Sequence, residues 1–200
     1  MTEAARPPPA RDINGRIARR VRARRAELGL TLDRLAGRCG VSRSMLSLVE
    51  RGESSPTAVV LERIATGLGL PLAALFDDPA APPAPVARRG DRVPWRDPGS
   101  GYVRCNLSPP AYPSPIRLVD VVLPAGARVA YDTAAREPEV HQQIWVQSGR
   151  LEVTVGRTVH RLGPGDCLAM ELSEPTAFRN RTRRSARYLV ALASAAPVRS

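Results

Sequence analysis

Residues 40–57 read GVSRSMLSLVERGESSPT, and this stretch decides how the first half of the chain folds. Gly40 supplies a turn and Ser42 a hydroxyl able to cap a helix start. Met45, Leu46 and Val49 then follow at the spacing of one helical face. With that face buried, Ser42, Arg43, Ser44, Ser47 and Leu48 are turned outward. Gly52 ends the helix and Pro56 announces the next. The stretch therefore predicts a short helix entered by a tight turn, with small and forked polar groups exposed at its N-terminal end.

The pattern extends on both sides. Upstream, Ile13, Ile17, Val21 and Leu28 recur at helical intervals up to Gly29, and Thr31 caps a second helix carrying Leu32, Leu35 and Ala36. Downstream, Leu61, Ile64, Ala65 and Leu68 mark a fourth helix closed by Gly69, and Pro71 opens a fifth around Leu72, Leu75 and Phe76. Five short helices over residues 13–76 predict an all-α domain. Residues 1–12, with Pro7, Pro8 and Pro9, read as a disordered arm, and residues 77–100, with Pro79, Pro82, Pro83, Pro85, Pro94 and Pro98, as a linker.

Beyond residue 115 the period shifts toward two. Leu151, Val153 and Val155 alternate with Glu152 and Thr154, and further runs at 117–123, 142–147, 159–162, 167–172 and 186–192 are bounded by Gly, Pro or Asn. Short strands and glycine turns over 101–194 predict a small all-β sandwich or barrel, followed by a tail at 195–200. The chain is thus α + β with two domains.

Composition narrows the partners. All 30 basic residues are Arg, against 19 acidic ones, giving +11. Guanidinium is a permanent, forked cation suited to phosphate and guanine edges, so an anionic partner is the first to consider. The excess is spread over both halves, but residues 11–25 hold seven Arg opposed only by Asp12, near the outward polar face that carries Arg43. The surplus in the β half, including Arg179, Arg181, Arg183, Arg184 and Arg187, reads as solubility or an anionic effector. No run approaches the roughly 20 apolar residues of a membrane span, and the N-terminus lacks an apolar signal core, so the expectation is a cytoplasmic protein. Cys39, Cys105 and Cys167 are odd in number and far apart, which predicts neither a disulfide framework nor a zinc site.

Residues 15–76 resemble a Cro/C1-type (XRE) helix-turn-helix domain. The resemblance rests on Ala36 where two helices cross, Gly40 at the turn, Val41, Leu46 and Val49 beneath it, and the exit Glu50-Arg51-Gly52 with Ser54-Ser55-Pro56-Thr57. It implies that residues 42–51 form the recognition helix, with Arg43 reading guanine and Ser42, Ser44, Ser47 and Leu48 meeting bases or phosphates. Arg51, Ser54, Ser55 and Thr57 would then contact the DNA backbone. The family commonly carries Gln after the Thr that opens the second helix. Leu32 stands there instead, so that phosphate contact is lost or passes to Arg34 or Arg38.

Residues 124–180 resemble a cupin (jelly-roll) barrel, in LPAGARVAYD, HQQIWVQSGRLEVTVG from His141, HRLGPGDCLAM from His160, and EPTAFRN ending at Asn180. Metal-binding cupins supply several His and a Glu or Gln. This chain offers His141, Gln142 and Gln143, has Thr176 where the last imidazole would stand, and holds 2 His in all, so neither metal nor other cofactor is expected. The expected inward residues of a pocket for a small organic effector are His141, Gln143, Trp145, Met170, Thr176 and Phe178, with Tyr131 and Arg136 near the entrance.

Together these readings predict a sequence-specific transcriptional regulator, a repressor and not an enzyme. It would bind DNA as a homodimer, with double-stranded DNA as partner and a cupin-like domain that serves for effector sensing or dimerisation. Two other classes fit parts of the sequence: a metal-dependent cupin enzyme fused to a DNA-binding domain, and an antitoxin-like interaction protein.

Overall fold

A computed structural model describes residues 12–78, 82–132 and 139–194. The expected arm, the tail and Arg136 lie outside these residues. The chain forms two compact units whose main division falls between Pro82 and Pro83.

The first unit holds four α-helices among the described residues: α1 (Ile13–Glu27), α2 (Leu32–Cys39), α3 (Arg43–Arg51) and α4 (Ala58–Gly67). Side chains at the starts do the capping: Asp12 accepts from the Gly15 amide, Thr31 from that of Arg34 and Ser42 from that of Met45. Gly40 and Gly52, at φ 60° and 72°, take the left-handed conformation that ends α2 and α3. The apolar spacing read from sequence lines one core of Ile17, Val21, Leu35, Leu46, Val49, Leu61, Ile64 and Leu68, each at most 2% exposed. Burial of such a side chain stabilises by about 1.5–3 kcal/mol before chain entropy is counted.

The expected fifth helix is a correction. Leu72–Phe76 is a 3-10 helix, with Pro71 before it and an extended Asp77 after it. Five residues between those limits are too few for a run of i to i+4 bonds. All five are buried, so packing decides their conformation.

The second unit is antiparallel: β1 (Trp95–Arg96), β2 (Val103–Asn106), β3 (Ile116–Leu123), β4 (Arg128–Tyr131), β5 (Val140–Ser148), β6 (Leu151–Val155), β7 (Thr158–Leu162), β8 (Cys167–Glu171), β9 (Thr176–Arg179) and β10 (Ala186–Ser194). The barrel expectation is corrected here, because the strands form two separate sheets, ordered β1-β2-β3-β10-β5-β8 and β4-β9-β6-β7. The sheets meet through side chains: Phe178 of β9 stacks on Tyr188 of β10 at 6.0 Å between ring centroids. Part of the proline-rich stretch is also ordered into this unit. Arg89–Asp91 forms a 3-10 turn, and Trp95 is 2% exposed, its indole edge-on to Tyr102 at 5.9 Å. One large aromatic is enough to recruit a two-residue edge strand despite flanking prolines.

The three thiols occupy different surroundings. Burial pushes the Cys39 thiol up, and its Cβ leaves no room for one on Gly67, where the gap would be 2.9 Å. Cys105 is raised mainly by burial, while Cys167 is exposed. A thiol reagent at neutral pH is expected to label Cys167 first and Cys39 only on unfolding. Equal labelling rates for the two, read by mass spectrometry, would contradict this packing.

Candidate nucleic-acid interface

The turn between α2 and α3 fixes how α3 is presented. Leu46, Val49 and Glu50 face the unit's interior, which leaves Arg43, Ser44, Ser47, Leu48 and Arg51 along one side at i, i+4 spacing. Ser42, Arg43, Ser44 and Arg51 are exposed, and Ser47 and Leu48 half-buried. Arg43 Nε lies 3.2 Å from Asp33 Oδ1 of α2, with the Arg43 side chain 66% exposed, so a base edge can compete for the guanidinium at little cost. Ser42 Oγ lies 3.1 Å from Ser44 Oγ besides capping the helix. Arg51 bridges Ser47 Oγ and, at 2.8 Å, Glu53.

The remaining candidates divide. Arg34 is exposed at the start of α2. Ser55 is exposed and accepts from Asn14 Nδ2 at 3.0 Å, tying the end of the α3–α4 loop to α1. Ser54 is half-buried with its hydroxyl 3.7 Å from Met45 Sδ, and Thr57 is half-buried.

The arginines of α1 do different work from that suggested by their density. Arg25 grips Glu50 with Nε–Oε1 2.6 Å and Nη2–Oε2 2.8 Å, and donates to Leu30 O at 2.8 Å. Arg22 donates to Glu50 O at 2.6 Å and Arg24 to Leu68 O at 3.3 Å. Arg16 and Arg19 stand within 4 Å of Asp78. These groups buttress the helix ends from within the unit. Buried Glu50 was visible in the sequence only as part of the helix exit; its opposite-charge partner, 25 residues upstream, carried no local signal.

In the β unit the expected pocket residues separate by strand phase. Thr176 and Phe178 are buried and Met170 half-buried on inner faces. His141, Gln143 and Trp145 are a correction: all three are exposed on the outer side of β5, while Val140, Gln142, Ile144 and Val146 point inward. Branched Ile144 and Val146 set the phase, and a strand's period of two then sends every odd-numbered residue out. Gln142, named only with the metal-type motif, and Tyr131, expected near the entrance, lie on the inner side, and the sequence reading missed Arg104, Tyr102 and Tyr188 beside them; the Tyr131 hydroxyl donates to that of Tyr102 at 3.4 Å. Desolvation, and then neighbouring Tyr102, hold the Tyr131 hydroxyl well above its usual range. Among the described residues, no three of His, Cys, Asp and Glu converge as a metal-ion site. No helix among them is long and apolar enough to cross a membrane.

A helix-turn-helix family profile, HTH_3, matches residues 21–75. Over 55 residues the chain is 47% identical to the HTH-type transcriptional regulator SutR of Escherichia coli K12; the match takes in 28% of this chain and 31% of that relative, so it spans about a third of SutR's length. Over 49 residues it is 45% identical to an uncharacterized HTH-type transcriptional regulator of Methanothermobacter thermautotrophicus, covering 24% of this chain and 71% of the relative. A crystal structure of an HTH_3 family transcriptional regulator from Vibrio cholerae superposes with TM-score 0.74 at 25% identity, covering 94% of this chain and 99% of the other.

Proposed function

Because the chain belongs to the helix-turn-helix family of transcriptional regulators, we propose that it is a cytoplasmic, homodimeric, sequence-specific repressor whose cupin-like β unit carries the dimer contact and senses a small organic effector. The observation that carries the reading is the exposed polar stripe of α3, capped by Ser42 and led by Arg43. In this reading Arg43 pairs with guanine O6 and N7, and Ser44, Ser47 and Leu48 meet neighbouring base edges. Ser42, at the helix start, Arg34, Arg51, Ser54, Ser55 and Thr57 fix the docking through phosphates. The helical unit is taken as the DNA-binding part and the unit from Pro83 onward, which includes Trp95 and its edge strand, as the part for pairing and sensing. An effector between the sheets would meet Gln142, Met170, Thr176 and Phe178, and the divergent placement of His141 disfavours a metal-dependent enzyme.

The test is Arg43→Ala on fragments of the chain's own upstream region, at fixed salt because phosphate contacts dominate affinity. Discrimination between specific and scrambled fragments should fall by about 1–3 kcal/mol, or roughly 10- to 100-fold, while non-specific binding persists. Unchanged discrimination removes Arg43 from base readout. Titrating small organic acids and amines while following operator affinity tests the sensor part, which requires a shift in that affinity.

A further inference from the structure

We propose that the outer face of the six-stranded sheet is where two copies of this chain pair; this rests on the dimeric reading above and assigns it a surface. On a sheet with one wet side, outward positions are expected to be polar. Here the register places Trp145 beside Leu189, Ala191 beside Leu118 and Ala193 beside Ile116, all on the side facing away from the four-stranded sheet. Trp145 is 47% exposed and Ile116 53%, in a protein with only 2 Trp. Central strand β10 thus reads apolar on both faces, as a strand does when something covers each.

A second copy fits this face better than a charged or disordered partner. The five strands β2, β3, β10, β5 and β8, about 4.8 Å apart and up to nine residues long, present on the order of 600 Å² in projection. That approaches the roughly 800 Å² per partner of a standard interface, with the apolar residues gathered at its centre and polar ones toward its rim. The chain carries +11, so copies repel wherever arginines face each other, and the centre of this face has none. Its two ends are opposite in sign. At one end Arg187 is paired with Asp120 of the same copy, and Arg89 and Arg92 beside it leave that end basic; Glu171 and Glu139 make the other end acidic. A two-fold axis lying in the face and crossing the strands sets each copy's basic end over the partner's acidic end, and buries the two Trp145 side chains between the sheets.

The full-length chain tests this by sedimentation velocity, alongside Trp145→Glu, Ala169→Glu and Trp145→Phe. The parent and Trp145→Phe should sediment as dimers, and both glutamate variants should self-associate at least roughly tenfold more weakly, with unchanged far-UV circular dichroism. Ala169 is exposed on β8, so its variant reports on pairing even where replacement of Trp145 disturbs folding. Trp95 is already buried, so parent emission should shift to the blue with concentration, and this shift should vanish in Trp145→Phe. A parent that stays monomeric at its highest soluble concentration overturns the proposal, as do glutamate variants that stay dimeric. Pairing through this face without any operator preference would leave the proposal standing and sink the DNA-binding reading.

Discussion

Glu50→Ala is expected to remove about 3 kcal/mol from the helical unit, the low end of the cost of breaking a buried ion pair, since only the carboxylate side of the pair is buried. The carboxylate is 7% exposed and takes both forks of Arg25, whose remaining Nη1 holds the carbonyl of Leu30 in the α1–α2 turn. Loss of the carboxylate leaves a half-buried guanidinium without its partner and loosens α3 from α1, so α3 loses the anchor that fixes its angle. For a unit of this size, 3 kcal/mol lowers the melting temperature by more than about 12 °C, measurable by far-UV circular dichroism. Arg25→Ala should cost at least as much, because it leaves the buried Glu50 carboxylate unpaired, and the double variant less than the sum. A Glu50→Ala midpoint within a degree or two of the parent would falsify the buttress.

Asn180→Ala is expected to destabilise the β unit by about 3 kcal/mol. Asn180 is fully buried, and its amide donates to Leu123 O at 3.1 Å, Pro124 O at 3.0 Å and Arg184 O at 2.7 Å, while its carbonyl accepts from the Thr182 amide and hydroxyl. One side chain thereby satisfies the β3–β4 turn and the β9–β10 loop together, where no ladder reaches. Truncation takes the Asn180 donor from the Leu123 and Pro124 carbonyls and the acceptor from the Thr182 amide, each worth about 1 kcal/mol. Asn180→Asp should be at least as damaging although it keeps the shape, since a carboxylate oxygen would face those carbonyls. Denaturant midpoints of the three proteins decide the matter; an Asp variant as stable as the parent would refute the assignment.

How far the sequence reaches is visible in particular residues. Ser42, Gly40, Leu46 and Val49 declare α3 locally, because a cap, a left-handed turn and a helical face need only neighbours within a few positions. In β5 the strand is legible but its phase is not. HQQIWVQ can bury either Trp145 or Ile144 and Val146, and the choice belongs to β10 and β8, which lie far along the chain. Arg density misleads for the same reason: the sequence shows cations on α1 but not that Glu50 and backbone carbonyls claim three of them.

By itself, then, the sequence determined a two-part chain, a helix-turn-helix with its outward residues, and a run of antiparallel strands. All of these follow from local periodicity, caps and turns. Only the tertiary structure decided that the strands separate into two sheets, that Trp145 lies outside and Gln142 inside, that Trp95 joins an edge, and that Arg25 is a scaffold group. Those outcomes depend on which distant surfaces meet, and a side chain's charge or bulk is assigned its role only when burial fixes its partner.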